Sequence, residues 1–149
     1  MSIGEFCNRD VVIVHKGENA VEAAKLMRQY HVGDVVVVMG KDDKTVPVGI
    51  LTDRDIVIEL VAEQVDPESV SVGEVMSDNL ITISESDELL DTIEQMRSKG
   101  VRRAPVVSKE GELVGILTLD DLLDFLAEAL NGLVLLTGRE QYRERETRG

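Results

Sequence analysis

The chain has 149 residues, a formal net charge of −13 and 43% hydrophobic residues, enough apolar material for one compact unit or two small lobes. The 29 acidic residues outnumber the 16 basic ones, which disfavours nonspecific binding to nucleic acid or to an anionic membrane. Only 3% of the residues are aromatic, so the stacking platform of a single-strand binder is missing.

Cysteine and histidine are too sparse to indicate a metal centre. Cys7 is the only cysteine, which excludes an intrachain disulfide and a thiol-rich site, and His15 and His31 are scattered. We therefore expect no required metal. Because Met1 is not followed by a secretory pattern, and no apolar run approaches the roughly 20 residues of a membrane span, we expect a cytoplasmic protein.

The first half of the chain predicts a β-α-β-β-α unit. Its predicted strands are 11–14, 35–39 and 46–51. Ala20, Ala24 and Met27 have the spacing of one buried helical stripe, which predicts a helix between the first two strands. The strand at 35–39 is almost continuously apolar, as expected of a strand covered on both faces. A second helix follows Thr52.

The second half repeats this unit. Met27 aligns with Met96, an offset of 69, whereas Gly49 aligns with Gly115, an offset of 66. The three-residue difference lies in the polar loop 40–45, where a true duplication tolerates it. The predicted strands are 80–83, 104–107 and 113–117. Ser84 or Ser86 is expected to cap the intervening helix, and Gly100 to end it.

These elements define the expected domain organisation. The first repeat occupies 3–66, the second 72–130, and a C-terminal tail 131–149. The apolar start of that tail is too short for a membrane span, so we expect it to pack on the module or on a second subunit. The alternating Arg and Glu residues that follow predict a solvated helix or disorder.

The most informative motif is Thr-x-x-Asp at a strand-to-helix corner, present as Thr52 and Asp55 and again as Thr118 and Asp121. One interpretation is a capping box, in which the side chains satisfy amides of the first helical turn. Another uses the same geometry for ligand binding, because a helix N-terminus attracts an anion and an adjacent carboxylate accepts from sugar hydroxyls. Duplication of the motif favours the second interpretation.

At this point the sequence resembles the cystathionine-β-synthase (CBS) domain family, as a tandem pair or Bateman module, over roughly residues 3–130. The resemblance rests on the order and duplication of four motifs. They are Gly-Ile-Leu-Thr-Asp-Arg-Asp-Ile at 49–56, Val-Gly-Glu-Val-Met-Ser at 72–77, Gly-Val-Arg-Arg-Ala-Pro-Val-Val at 100–107 and Leu-Val-Gly-Ile-Leu-Thr-Leu-Asp-Asp-Leu-Leu at 113–123.

The resemblance implies an α+β fold of two β-α-β-β-α repeats related by a pseudo-twofold axis and packed as one module. It also implies a homodimer and an adenosine-containing ligand such as AMP, ADP, ATP or S-adenosylmethionine. The family's roles then fall on ten residues. Thr52, Asp55, Thr118 and Asp121 would hold the ribose or lie near the phosphate, Arg102 and Arg103 would meet phosphate, Ile81, Ile83 and Pro105 would line the adenine, and Arg54 lies in the first-copy turn.

The repeats are unequal at the positions that would meet phosphate. Arg102 and Arg103 correspond to Gly33 and Asp34 in the first copy, and an aspartate there would repel a phosphate. We therefore expect unequal sites, although the sequence leaves open which cleft receives the arginines. An ordinary solvated pair is the alternative interpretation of Arg102 and Arg103.

Two functions compete. The first is a stand-alone regulatory, energy-sensing protein that binds an adenosyl ligand between its repeats and signals to a separate partner. The alternative is a dimerising scaffold with weak or vacant clefts, which the apolar last helix would suit. Catalysis is disfavoured because no nucleophile–base pair, metal-ligand set or Walker-type loop accompanies the carboxylates. We therefore predict that the chain is not an enzyme.

Overall fold

The computed structural model describes residues 1–40 and 44–148, in two compact units that meet between Leu117 and Thr118. The first unit contains nearly all of both repeats. Its elements are α1 Ile3–Phe6, β1 Ile13–His15, α2 Ala20–Tyr30, β2 Asp34–Met39, β3 Val46–Thr52, α3 Asp53–Ile56 with a π-helical turn Val57–Val61, α4 Val72–Val75, β4 Ile83–Ser84, α5 Leu89–Lys99, β5 Arg103–Val107 and β6 Leu113–Thr118. A long helix, α6, spans Leu119–Arg148.

Each repeat forms a three-stranded mixed sheet, with strand orders β1-β2-β3 and β4-β5-β6. The first strand of each sheet pairs in parallel with the middle strand, as Ile13 with Val36 and Ile83 with Val106. In the first repeat, β2 then pairs antiparallel with β3. The predicted β-α-β-β-α order and the α+β class are confirmed.

The middle strand of the first repeat is buried on both faces, which explains its apolar sequence. Val35 and Val37 pack with Met27 and Leu51 in a core beneath the helices. Their neighbours Val36 and Val38 point the other way and meet Ile116 of the second sheet. Both faces of β2 therefore exclude water, as the unbroken valine run predicts.

Each repeat begins with an entry segment that packs on the other repeat. The two entry segments run from α1 to Asn8 and from α4 to Ser77. Ser77, which follows α4, forms hydrogen bonds in both directions with Ile50 of β3, at 3.0 and 3.2 Å. Asn8, which follows α1, does the same with Ile116 of β6, at 3.0 and 2.8 Å. The segment that opens each repeat therefore packs on the other repeat, and the reciprocity of these contacts expresses the pseudo-twofold relation.

Helix ends follow the sequence in most places. Gly100 ends α5 with a left-handed φ of 67°, as predicted. The predicted N-cap of that helix is wrong, because the N-cap position is Glu88, which makes no side-chain cap bond. The Ser84 and Ser86 hydroxyls instead hydrogen bond to each other, at 2.9 Å. The loop that carries the length difference includes 41–43, which lie outside the described residues.

The second unit consists of α6 and the residues at its two ends. Its helix continues without a break through the segment expected to be a separate tail, with Gly132 and Gly138 in its interior. Leu130, Leu133 and Leu135 are each more than 60% exposed. Over the described residues, no helix is long and apolar enough to cross a membrane.

Candidate functional site

The corner between β3 and α3 forms a complete capping box. The Thr52 hydroxyl oxygen accepts a hydrogen bond from the Asp55 backbone N–H, and Asp55 Oδ2 accepts one from the Thr52 N–H, both at 3.0 Å. Within the described part of the chain, Asp55 Oδ1 has no hydrogen-bond partner. Capping therefore uses only one carboxylate oxygen, and the other can accept from a ligand.

Asp55 borders a cavity of about 300 Å³ that is lined by residues of both repeats. The walls combine an apolar part with hydroxyl, amide, carboxylate and guanidinium groups. The lining residues are Ile50, Thr52, Asp55, Ser77, Asn79, Leu80, Ile81, Val101, Arg102 and Arg103. A mostly apolar wall with a few converging polar groups is typical of a small-molecule site, and this volume is at the small end for one.

The two arginines that line the cavity differ in whether they already form an ion pair. Arg103 Nη1 donates to Asp34 Oδ2, so this guanidinium already faces a carboxylate. Arg102 is exposed and makes no hydrogen bond or ion pair with the described residues. Burial raises the pKa of Asp34, Arg103 opposes that rise, and the nearby Asp53 adds to it. The cavity thus has one arginine available to an anion and one already paired.

A second hollow of about 470 Å³ adjoins the first and shares Asp55 and Ser77 with it. Its polar wall is acidic, with Glu59 and Glu74 beside Asp55. Across residues 1–40 and 44–148, no group of three or more His, Cys, Asp or Glu side chains is arranged to hold a metal ion. The second hollow therefore extends the first without adding a recognisable metal centre.

The structure brings half of the predicted binding residues to the cavity: Thr52, Asp55, Ile81, Arg102 and Arg103. Ile83 is fully buried, Pro105 is also buried, and neither lines the cavity. Arg54 is exposed on the first turn of α3 and lies outside the lining. The arginines of the second copy thus share a cavity with the Thr-x-x-Asp corner of the first, which the sequence had left open.

The second Thr-x-x-Asp pair lies in the second unit. The Asp121 backbone N–H donates to the Thr118 hydroxyl oxygen at 3.1 Å, so this corner also has the capping bond at the start of its helix. The Thr118 half of the predicted capping box is therefore present. Their role in binding stays a prediction.

Several lining residues were not predicted. They include Ser77 and Asn79, which belong to the segment after α4 that crosses over to the first repeat, and Ile50 of β3, with which Ser77 pairs. One sequence signal for them exists. Gly49 and Gly115 are equivalent glycines inside strands, and a Cβ at Gly49 would lie 2.8 Å from the Ser77 carbonyl oxygen. A glycine inside a strand indicates close approach of another backbone, which here is the segment that forms one wall of the cavity.

Comparisons with known proteins identify the family and the fold. Residues 3–62 and 72–128 each match the CBS domain. An uncharacterised protein of Methanopyrus kandleri is 41% identical over 83% of this chain, which spans only 61% of that protein's length. Hypoxic response protein 1 of Mycobacterium tuberculosis is 35% identical over 83% of this chain and 84% of its own.

Two solved structures resemble the fold closely. A CBS domain protein of Pyrobaculum aerophilum in complex with AMP has a TM-score of 0.71 and 29% identity, covering 82% of this chain and 90% of that one. A hypoxic response protein with two coordinated zinc ions also has a TM-score of 0.71, with 31% identity, covering 83% of this chain and 98% of that one. The expectation that this chain requires no metal stays a prediction.

Proposed function

Because this chain belongs to the CBS-domain family and carries the domain twice, we propose that it is a stand-alone regulatory, energy-sensing protein. In this proposal it binds an adenosine-containing ligand, such as AMP, ADP, ATP or S-adenosylmethionine, in the cavity beside Asp55. A ligand changes a protein's conformation only through different affinities for two states, so the signal passes to a separate partner when one state is favoured.

One observation carries this proposal: a carboxylate with a spare oxygen, an arginine that pairs with none of the described residues and an apolar wall meet in one cavity. Asp55 Oδ1 would accept from ribose hydroxyls, as carboxylates near helix N-termini are suited to do. Arg102 would meet a phosphate. Leu80, Ile81 and Val101 would cover the adenine. The AMP complex of the related Pyrobaculum protein supports this choice of ligand class.

We propose Thr118 and Asp121 as a second ribose-binding pair, on the basis of their equivalence to Thr52 and Asp55. We also propose that the protein is cytoplasmic, not catalytic and independent of a resident metal. These three proposals rest on the sequence, and the zinc ions of the hypoxic response protein make the metal the first of them to test.

A ligand-binding test with a capping-competent variant separates the two roles of Asp55. In Asp55→Asn, the amide oxygen still accepts from the Thr52 N–H, but the negative charge and one acceptor are lost. We expect AMP affinity, measured by calorimetry, to fall by at least about tenfold, as for a lost charged hydrogen bond, with little change in unfolding. Asp10→Asn, an exposed residue outside the cavity lining, is the matched control and should bind normally.

Native mass spectrometry of the purified full chain complements this test, because it reports any co-purified nucleotide or metal together with the oligomer mass. Failure of AMP, ADP, ATP and S-adenosylmethionine to bind, by either method, would contradict the proposed ligand class. An intact metal adduct removed by chelation would contradict the metal-free proposal alone.

The exposed leucines of α6 favour a second candidate, a dimerising scaffold. Leu123, Leu126, Leu130 and Leu133 follow one another at spacings of three and four, and Thr137 continues the series. Each of the four leucines is between 41% and 64% exposed. This spacing is typical of the seam of a coiled coil, and an apolar patch of this kind indicates an interaction surface.

We propose that a second copy of α6, running antiparallel, covers this seam. The charges of the helix are divided along its length: residues 119–131 carry four acids and no base, whereas 139–148 carry four arginines against three glutamates. An antiparallel copy places each acidic half beside the arginine-rich end of the other helix, whereas a parallel copy places acid against acid. Dimerisation is compatible with ligand binding, so the two candidates are separated by ligand titration.

A further inference from the structure

The pairing of Arg103 with Asp34 links equivalent positions of the two repeats. Asp34 and Arg103 are 69 residues apart, the offset of the duplication, and each opens the middle strand of its sheet. Arg103 donates from Nη1 to Asp34 Oδ2, with side chains 33% and 24% exposed. A duplicated position has thus become a pair of opposite charges that bridges the repeats.

This ion pair is poorly explained as a stabilising contact. The carboxylate is taken from water, and that burial raises the pKa of Asp34 in spite of Arg103. Asp53, from the first turn of α3, is a further negative charge acting on the same carboxylate. Charges withdrawn from water are often no more stabilising than an apolar replacement. A role in ligand binding accounts for the pair better, because Arg103 also lines the cavity.

The formal charges of the four groups at the cavity balance. Arg102 and Arg103 face it, while Asp55 lines it and Asp34 holds Arg103. One phosphate group carries up to about two negative charges at neutral pH, and a triphosphate carries more. Arg102 suits one phosphate, whereas a longer polyphosphate would have to recruit Arg103 away from Asp34.

We infer that Asp34 is a built-in counter-anion that limits the negative charge the cavity accepts. The site then takes adenosyl ligands with one phosphate, or none, ahead of nucleoside triphosphates. This inference rests on the proposed adenosyl site and names its ligand class.

The test compares AMP and ATP by calorimetry on the full chain, as wild type, Asp34→Asn and the control Asp10→Asn. The wild type should bind AMP more tightly than ATP. Removing the Asp34 charge should raise ATP affinity on the order of tenfold and AMP affinity by about threefold, because the gain grows with ligand charge. The exposed Asp10 should change either affinity by less than about twofold.

A double-mutant cycle with Arg103→Gln assigns the gain to this pair. In the Asp34→Asn background, loss of Arg103 should abolish the gain in ATP affinity, whereas in the wild type the same change should matter less because Arg103 is occupied. Asp34→Ser serves as a second variant if the amide prevents folding. Equal effects of Asp34→Asn and Asp10→Asn on both ligands would overturn the inference, as would a wild type that prefers ATP tenfold.

Failure of the proposed function would look different. If neither the wild type nor Asp34→Asn binds any adenosyl ligand, the adenosyl proposal is wrong, and inorganic tripolyphosphate becomes the probe of the charge limit. Tighter tripolyphosphate binding by Asp34→Asn than by Asp10→Asn would still support a counter-anion. The same affinity in both variants would overturn it.

Discussion

At the residue scale, Asp34 should make stability depend on pH with an unusual sign. Its pKa is raised, chiefly by burial, so the folded protein holds this proton more tightly than the unfolded chain does. Ionised Asp34 therefore lowers the free energy of unfolding, and this cost appears as the pH rises through the unfolded and then the folded pKa. Most carboxylates in ion pairs have the opposite effect.

Asp34→Asn should accordingly be at least as stable as the wild type at neutral pH. Its advantage should shrink as the pH falls through the folded pKa of Asp34 towards the ordinary aspartate range, where the wild-type carboxyl is protonated as well. Urea unfolding of both proteins over this pH range measures the difference, with Asp10→Asn as the exposed control. A variant that is less stable at neutral pH would mean that attraction by Arg103 outweighs burial.

The residue scale also shows what the sequence could tell about charge. Alignment of the repeats shows that Arg103 of the second copy corresponds to Asp34 of the first, and this difference in charge predicts unequal sites. That these two residues pair with each other is not visible, because the contact depends on how the two sheets are placed around the pseudo-twofold. A repeat alignment compares equivalent residues and gives no information on which of them meet.

At the element scale, the exchange of entry segments depends on two strand glycines. A Cβ at Gly49 would lie 2.8 Å from the Ser77 carbonyl oxygen, and one at Gly115 would lie 2.8 Å from that of Asn8. These two carbonyl oxygens belong to the backbone and cannot move aside, whereas the sulfur atoms of Met76 and Cys7, which the two Cβ atoms would also meet, lie on side chains that can. Gly49→Ala should therefore lower the free energy of unfolding by about 1–3 kcal/mol, as measured by urea denaturation.

Gly49→Ala should also weaken AMP binding, because the Ser77 segment that it displaces forms one wall of the cavity. Gly132→Ala in α6 is the matched control, since its Cβ would meet nothing within 4 Å. That control should be neutral or stabilise by up to about 1 kcal/mol through helix propensity. A Gly49→Ala protein as stable as wild type would show that the crossing at Ser77 is looser than the structure indicates.

Helices and strands were predictable where the sequence pattern that specifies them lies in adjacent residues. The valine run of β2 predicts a doubly covered strand, and Thr52 with Asp55 predicts the start of α3, because burial and capping leave direct traces in adjacent residues. The N-cap of α5 was wrong because two serines near a helix start can bond to each other instead. Ser77 and Asn79 were missed because the crossing is a long-range contact whose only sequence trace is a glycine on the opposite strand.

At the scale of the whole molecule, packing within one chain accounts for the apolar residues of α6 less well than for those of any other element. It is a single helix from Leu119 to Arg148 and has a run of four exposed apolar residues, Leu133–Leu136. An isolated helix of this composition gains little from propensity alone, because helices in proteins are stabilised mainly by packing of an apolar face. The proposed second copy would supply that packing and would leave the cavity beside Asp55 in place.

This assembly predicts a difference between two faces of α6. The paired changes Leu130→Glu and Leu133→Glu bury charge in the proposed seam, so the dimer should dissociate to monomers in size-exclusion chromatography with light scattering. Leu135→Glu is the matched control, because Leu135 is 65% exposed but lies away from the Leu130–Leu133 side of the helix. The control should remain dimeric, and both proteins should still bind AMP if the cavity acts independently of assembly. A monomeric wild type would reject the second copy as occupant, and equal dissociation by both variants would reject this seam as its binding face.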